Sequence, residues 1–203
     1  SIQLDDAGRG FSFMRPGPLD MRMDTSREPT AAQWLHDADQ AQIEQVLREL
    51  GEERYARRIA AAVVARRAQA PIATTDDLVN VVRGAMPRRE QHKHFATRTF
   101  QALRMVVNHE IEDLAAGLDQ ALSVLAPGGR LVVLSFHSLE DRPVKQFMRL
   151  HAGRFEGAHE PPVLRLVRVP KKAGAAELAV NPRARSAILR AAERLPEAVP
   201  AHG

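Results

Sequence analysis

The sequence runs to 203 residues with 44% hydrophobic side chains, enough apolar material for one globular unit or two small ones, which excludes disorder as the default reading. Of 29 basic residues 25 are arginines, set against 25 acidic residues for a net charge of +4, a mild lean toward nucleic acid because guanidinium grips phosphate bidentately and stacks on bases. The absence of cysteine excludes disulfides, thiolate zinc sites and cysteine nucleophiles, while apolar stretches too short for a membrane span and the lack of a signal segment point to the cytoplasm.

The chain opens on Ser1 in a polar segment rather than on Met, from which loss of upstream sequence by processing or truncation is expected. Residues 1–28 read as loop, because Gly8, Gly10, Pro16, Gly17 and Pro18 forbid a long regular element. The same loop carries Phe11, Phe13, Met14, Leu19, Met21 and Met23, so it packs against something or grips a ligand. Gly8 to Phe11 suits an RNA backbone with a stacking ring, although one such tetrapeptide is a weak signal. Between Gly17 and Asp24, Arg22 could clamp a phosphate while Asp20 or Asp24 accepts from an amine; equally, both aspartates could bond backbone amides of their own loop.

From Thr30 to about Met86 the pattern is helical. Ala56, Ile59, Ala60, Val63 and Val64 form one stripe, and Thr74 with Asp77 resembles a capping box ahead of Leu78, Val81 and Val82. A basic connector follows, with Arg83, Arg88, Arg89, His92, Lys93, His94 and Arg98 around Pro87; it reads equally as a solvated face and as an RNA contact. His92 and His94 stand in a basic run with no cysteine partner, which argues against a metal site.

Phe100, Leu103, Val106, Val107, Ile111, Leu114, Leu118, Leu122 and Leu125 keep a 3.6-residue rhythm, predicting one long helix stopped by Pro127, Gly128 and Gly129. Leu131 to Leu134 with Phe136 then form an apolar run suited to a strand buried on both faces inside a parallel sheet, so helix, turn and strand make an αβ unit. Val163 to Val169 reads as a further strand. Residues 183–194 suit either helix or strand.

Ligands of open α/β sheets bind beyond the carboxyl ends of strands, which makes Ser135 to Arg142 the segment to watch. Ser138 with Asp141 reads better as a helix cap than as chemistry, and Pro143 fits the first turn that follows. His137, between strand and cap, reads equally as a site residue and as a satisfied core histidine. No P-loop, G-x-G-x-x-G or G-x-S-x-G is present, so neither a nucleotide cradle nor a hydrolase triad is supported.

Six blocks in order, Gln3 to Asp6 with Arg9 to Phe13, Gly17 to Asp24, Thr97 to Arg104, Pro127 to Leu131, Phe136 to Arg142 and Asn181 to Ser186, closely resemble the ribosomal RNA small-subunit methyltransferase H family across nearly the whole chain. The resemblance implies a class I, Rossmann-like methyltransferase domain made of residues 1–26 and 96–203, its N-terminal strands missing, with residues 27–95 as an inserted helical domain. It implies methylation of N4 of a cytidine in the decoding region of small-subunit ribosomal RNA, with S-adenosylmethionine as cofactor and the rRNA or a 30S-type particle as partner. The family's glycine-rich loop and acidic ribose-binding residue would precede Ser1, so the chain by itself is expected to be inactive. Gln3 carries over as a cofactor contact; the candidates for catalysis are Asp20 and His137, and those for substrate binding are Phe11, Phe13, Arg22, Asn181 and Arg183. By the same resemblance 183–194 is a strand at the sheet edge, while a short 151–162 and Pro143 depart from the usual pattern at the outer wall of the site. An incomplete parallel sheet exposes edges and apolar surface, which points to homodimerisation, swapping or partial disorder. The rival reading is a non-catalytic RNA-binding or ribosome-assembly module; a purely structural helical protein would leave the apolar strand and His137 unexplained.

Overall fold

The capping signals written into the first half of the chain close as hydrogen bonds. In the computed structural model, which describes residues 6–87, 95–154 and 161–196, helices α1 (Ala31–Asp37), α2 (Gln40–Glu49) and α4 (Thr75–Ala85) each begin with a complete box. The Thr74 hydroxyl accepts from the Asp77 amide at 3.1 Å, and the Asp77 carboxylate accepts from the Thr74 amide at 3.0 Å. A Thr74→Ala variant should lose about 1 kcal/mol of stability in urea unfolding, since it leaves an amide of the first turn without its acceptor. An unchanged midpoint would show that the cap contributes nothing.

The chain divides into two compact units, Ser1–Glu110 and Ile111–Gly203. In the first, α3 (Ala56–Arg67) buries the predicted stripe of Ile59, Ala60 and Val63 against Ile43 and Leu47 of α2 and Leu78 and Val82 of α4. Phe100 and Leu103 of α5 (Thr97–Val107) join the same core, as do Phe11, Leu19 and Met21 from the opening loop. The helices between Ala31 and Ala85 thus share one hydrophobic core with the loop before them and with Phe100 and Leu103 of α5.

The long helix predicted across 100–125 is two. It stops after Val107 and restarts as α6 (Glu110–Val124), because Asn108 turns its side chain back to the Arg104 carbonyl (2.8 Å) and His109 takes a left-handed φ of 49°. Such a backbone ends a helix whatever the apolar rhythm on either side.

In the second unit β1 (Arg130–Ser135) leads into α7 (Ser138–His151), β2 (Leu164–Val167), α8 (Ala175–Val180) and β3 (Ile188–Arg194). The strands stand in the order β1-β3-β2, both ladders antiparallel, so β1 and β2 run the same way with β3 reversed between them. The predicted edge strand is therefore the middle one, and its first residues are instead a 3-10 turn, Pro182–Ser186. Its alanines explain the placement: Ala191 and Ala192 are buried, and a central strand under a helix needs small side chains where Val144 and Met148 of α7 come down. The turn after α6 is as predicted, with Gly128 at φ 79° and its amide donating to the Arg194 carbonyl at 2.8 Å.

β1 itself departs from the expectation of burial on both faces. Leu131 and Val133 pack with Leu114, Leu118 and Leu122 of α6, but Val132 and Leu134 are more than half exposed. Among the described residues no strand pairs with its outer edge and no helix covers that face, so an apolar run made for two-sided burial has one side buried. No helix among the described residues is long and apolar enough to cross a membrane.

Candidate functional site

Loop 6–28 carries most of the predicted site residues of the first unit, and its geometry is set by polar groups that satisfy one another. Arg9 reaches across it, donating to the carbonyls of Arg22 (2.7 Å) and Met23 (2.9 Å). Gly10 holds a left-handed φ of 70° where a Cβ would lie 2.3 Å from the Pro18 carbonyl oxygen. The carbonyls of Leu19 and Asp20 accept from Ala32 and Ala31 at the start of α1, and Gly17 exchanges hydrogen bonds with Thr75 at the start of α4. The loop thus supplies acceptors to amides that helix beginnings leave without partners.

Asp20 and Arg22 form a two-pronged pair, Nε to Oδ1 at 2.8 Å and Nη2 to Oδ2 at 2.9 Å, and Asp20 also accepts from the Arg22 amide at 3.0 Å. Nη1 of Arg22 donates to the carbonyls of Thr25 (3.0 Å) and Arg27 (2.9 Å). All three nitrogens of the guanidinium are therefore engaged within the loop. The hydrogen bonds from Arg22 hold the Asp20 carboxyl below its ordinary value of 3.8, against a smaller opposing effect of burial. A group lowered on folding stabilises the fold above its unfolded pKa and loses that contribution as pH falls through the folded value. The stability difference between wild type and Asp20→Asn should accordingly be constant from pH 5 to 8 and shrink below about pH 4. Thermal melts across that range check it, and a difference that grows on acidification would reverse the sign.

Of the two candidate stacking rings, Phe11 is 8% exposed and belongs to the core, whereas Phe13 is partly exposed and meets Phe100 edge-on at 5.4 Å. Only Phe13 keeps surface for a base. Asn108, which the sequence reading passed over, holds the loop from outside: it accepts from the Met23 amide at 2.6 Å and donates to the Met21 carbonyl at 2.7 Å. Its signal was weak, a lone Asn inside an apolar rhythm.

In the second unit His137 stands at the N-cap of α7, in extended conformation, with no side-chain capping bond from it. The predicted Ser138–Asp141 cap does not form. Asp141 instead takes a bidentate bond from Arg190 of β3, at 2.6 and 2.7 Å, which clamps the first turn of α7 to the sheet. Glu140 accepts from the Phe136 amide at 2.8 Å through Oε2 and places Oε1 3.0 Å from His137 Nε2. That approach makes an ion pair whenever the imidazole is protonated, but its angle falls short of a hydrogen bond, and neither shielded ring nitrogen has a hydrogen-bond partner. Pro143 lies one turn deeper than predicted, inside α7.

His137 lines a hollow of about 400 Å³ together with Phe136, Ser138, Arg142 and Ser186. Asn181 and Arg183, both exposed, line a second of about 730 Å³ with Phe136, Lys171, Lys172 and Glu177. The half-exposed ring of Phe136 is common to both. The structure therefore brings His137, Asn181 and Arg183 around one aromatic ring in the second unit, and Asp20, Arg22, Phe11 and Phe13 into one loop of the first. Gln3 and residues 88–94 of the basic connector lie outside the described residues. A ring with cations and amide groups at its rim can stack a base while holding its phosphate and edge.

The model of the MraW methylase family matches residues 1–195. A ribosomal RNA small subunit methyltransferase H of Methylococcus capsulatus is 55% identical over 201 residues, covering 96% of this chain and 66% of its own length. Its namesake in Xanthomonas euvesicatoria is 55% identical over 202 residues, covering 96% of this chain and 60% of its own. That of Bordetella avium is 52% identical over 212 residues, covering 100% of this chain and 59% of its own. The chain thus spans about three fifths to two thirds of the length of these curated relatives.

Proposed function

The chain belongs to the MraW methylase family, and on that premise we propose that it is part of an S-adenosylmethionine-dependent methyltransferase acting on N4 of a cytidine in the decoding region of small-subunit ribosomal RNA. The observation that carries the reading is Phe136, a half-exposed ring flanked by His137 on one side and by Asn181 and Arg183 on the other. In the same proposal residues 27–95 are a helical insertion in a class I methyltransferase domain formed by 1–26 and 96–203, and the partner is the rRNA or the particle containing it.

The described residues do not by themselves fit the cofactor. The one carboxylate lining the His137 hollow, Asp141, is taken up by Arg190, and the carried-over contact Gln3 lies outside them. When bound, the cofactor supplies an electrophilic methyl group.

What the chain's own residues have to do follows from the amine. The lone pair of the exocyclic nitrogen is delocalised into the ring, so the base must be held in line and must lose a proton. The cytosine leaves its stack for the face of Phe136, while Asn181 bonds its edge and Arg183 the adjoining phosphate. His137 takes the proton, and Glu140, 3.0 Å away, stabilises the resulting imidazolium. Asp20 is the weaker base, because Arg22 keeps it ionised and occupies its oxygens. Within the first unit Phe13 is the ring that keeps surface for stacking.

The test is transfer of labelled methyl from S-adenosylmethionine to small-subunit particles by the protein at its relatives' full length, followed by nucleoside analysis. Label in N4-methylcytidine is expected. Label on another nucleoside overturns the assignment, and RNA binding with neither cofactor binding nor label returns the chain to the non-catalytic module.

A further inference from the structure

Beyond the two hollows that flank Phe136 the second unit has a third, of about 340 Å³, which the reaction above does not use. Among the described residues five cations line it, Lys145, Arg149, Arg168, Lys171 and Arg190, and no carboxylate does. Its apolar lining includes Met148 and Leu166, on the face of the sheet that α7 covers. Two of the cations are committed: Arg190 is held by Asp141, and Arg149 donates to the Arg154 carbonyl at 3.4 Å. Lys145, Arg168 and Lys171 are exposed, and among the described residues none of them has a carboxylate partner.

Such a concentration of one charge is costly unless an anion answers it. The hollow is also not isolated: Lys145 lines it and the His137 hollow, while Lys171 and Leu189 line it and the Asn181 hollow. An apolar floor inside a cationic rim, continuous with a place for one nucleotide, is the arrangement used for the next nucleotides of a single strand, whose bases need a dry face and whose phosphates need counter-charge.

We infer that this hollow seats the single-stranded RNA flanking the target nucleotide, its phosphates on Lys145, Arg168 and Lys171 and one base over Met148 and Leu166. The inference rests on the proposed action on RNA. It makes specificity depend on an unpaired flank, because a duplex could not lay a base onto the floor.

The experiment titrates the 203-residue chain with a fluorescent single-stranded RNA of about ten nucleotides over a series of salt concentrations, for wild type and for the triple variant Lys145→Ala, Arg168→Ala, Lys171→Ala. Three lost phosphate contacts should weaken binding roughly tenfold or more at low salt and flatten the plot of log Kd against log salt by about 2. A companion carrying Lys145→Arg and Lys171→Arg should keep the wild-type slope, and circular dichroism of the triple variant should match wild type. Wild type that binds no RNA at low salt defeats the proposed function and this inference together. Wild type that binds with a slope the triple variant shares defeats this inference alone, as does a poly-glutamate peptide that depends on the three cations while RNA does not.

Discussion

Replacing His137 with alanine should slow methyl transfer by about 100- to 1,000-fold while leaving RNA affinity within about twofold, the size expected when one positioned proton acceptor is lost. The reason is local. His137 sits at the N-cap of α7 with ring nitrogens that make no hydrogen bond and with the Glu140 carboxylate 3.0 Å from Nε2, so the ring is not used up in holding the helix. Single-turnover rates separate this from a binding defect. A His137→Ala enzyme at full single-turnover rate would leave the proton to another group.

The largest structural effect is expected at Gly10. Alanine there would hold a left-handed φ of 70° and set its methyl 2.3 Å from the Pro18 carbonyl oxygen and 2.8 Å from the Asp20 nitrogen. The backbone on the other side of that contact is not free to yield, since Leu19 donates to the Ala73 carbonyl at 2.9 Å and Met21 to the Arg9 carbonyl at 2.9 Å. Strain and overlap together should cost about 3 kcal/mol in urea unfolding. Gly117 is the control: it lies within α6 with nothing near its missing Cβ, and alanine there should stabilise by about 0.5 to 1 kcal/mol. A Gly10→Ala protein within 1 kcal/mol of wild type would mean that the loop relaxes around the methyl.

The elements legible in the sequence are those whose cause is local. The Thr74 box, the stripe of Ile59, Ala60 and Val63, the Gly128 turn and the strand ending at Ser135 each depend on residues within a turn or two of one another. What misled were signals with a long-range rival. The apolar rhythm through residues 100–125 continues across Asn108, but that side chain is engaged by Met21 and Met23, some 85 residues away. Ser138 and Asp141 have the right spacing for a cap, yet Arg190, 49 residues on, takes the carboxylate. The site was legible to the same degree. His137, Asn181 and Arg183 come together as the strand end and the 182–186 turn suggest, whereas the rim of Lys171 and Lys172 depends on where β3 enters the sheet. Phe11 and Phe13 look alike in sequence, and only packing separates a core ring from a partly exposed one.

The strand that stands between β1 and β2 is the last of the three to be made. As the chain leaves the ribosome the helices of the first unit can close on near neighbours, but β1 and β2 cannot take up the strand they share until residues 188–194 have emerged. A stop codon placed before Ile188 should therefore leave β1 and β2 without the strand that joins them, so the pairing of this sheet waits for its last-made member.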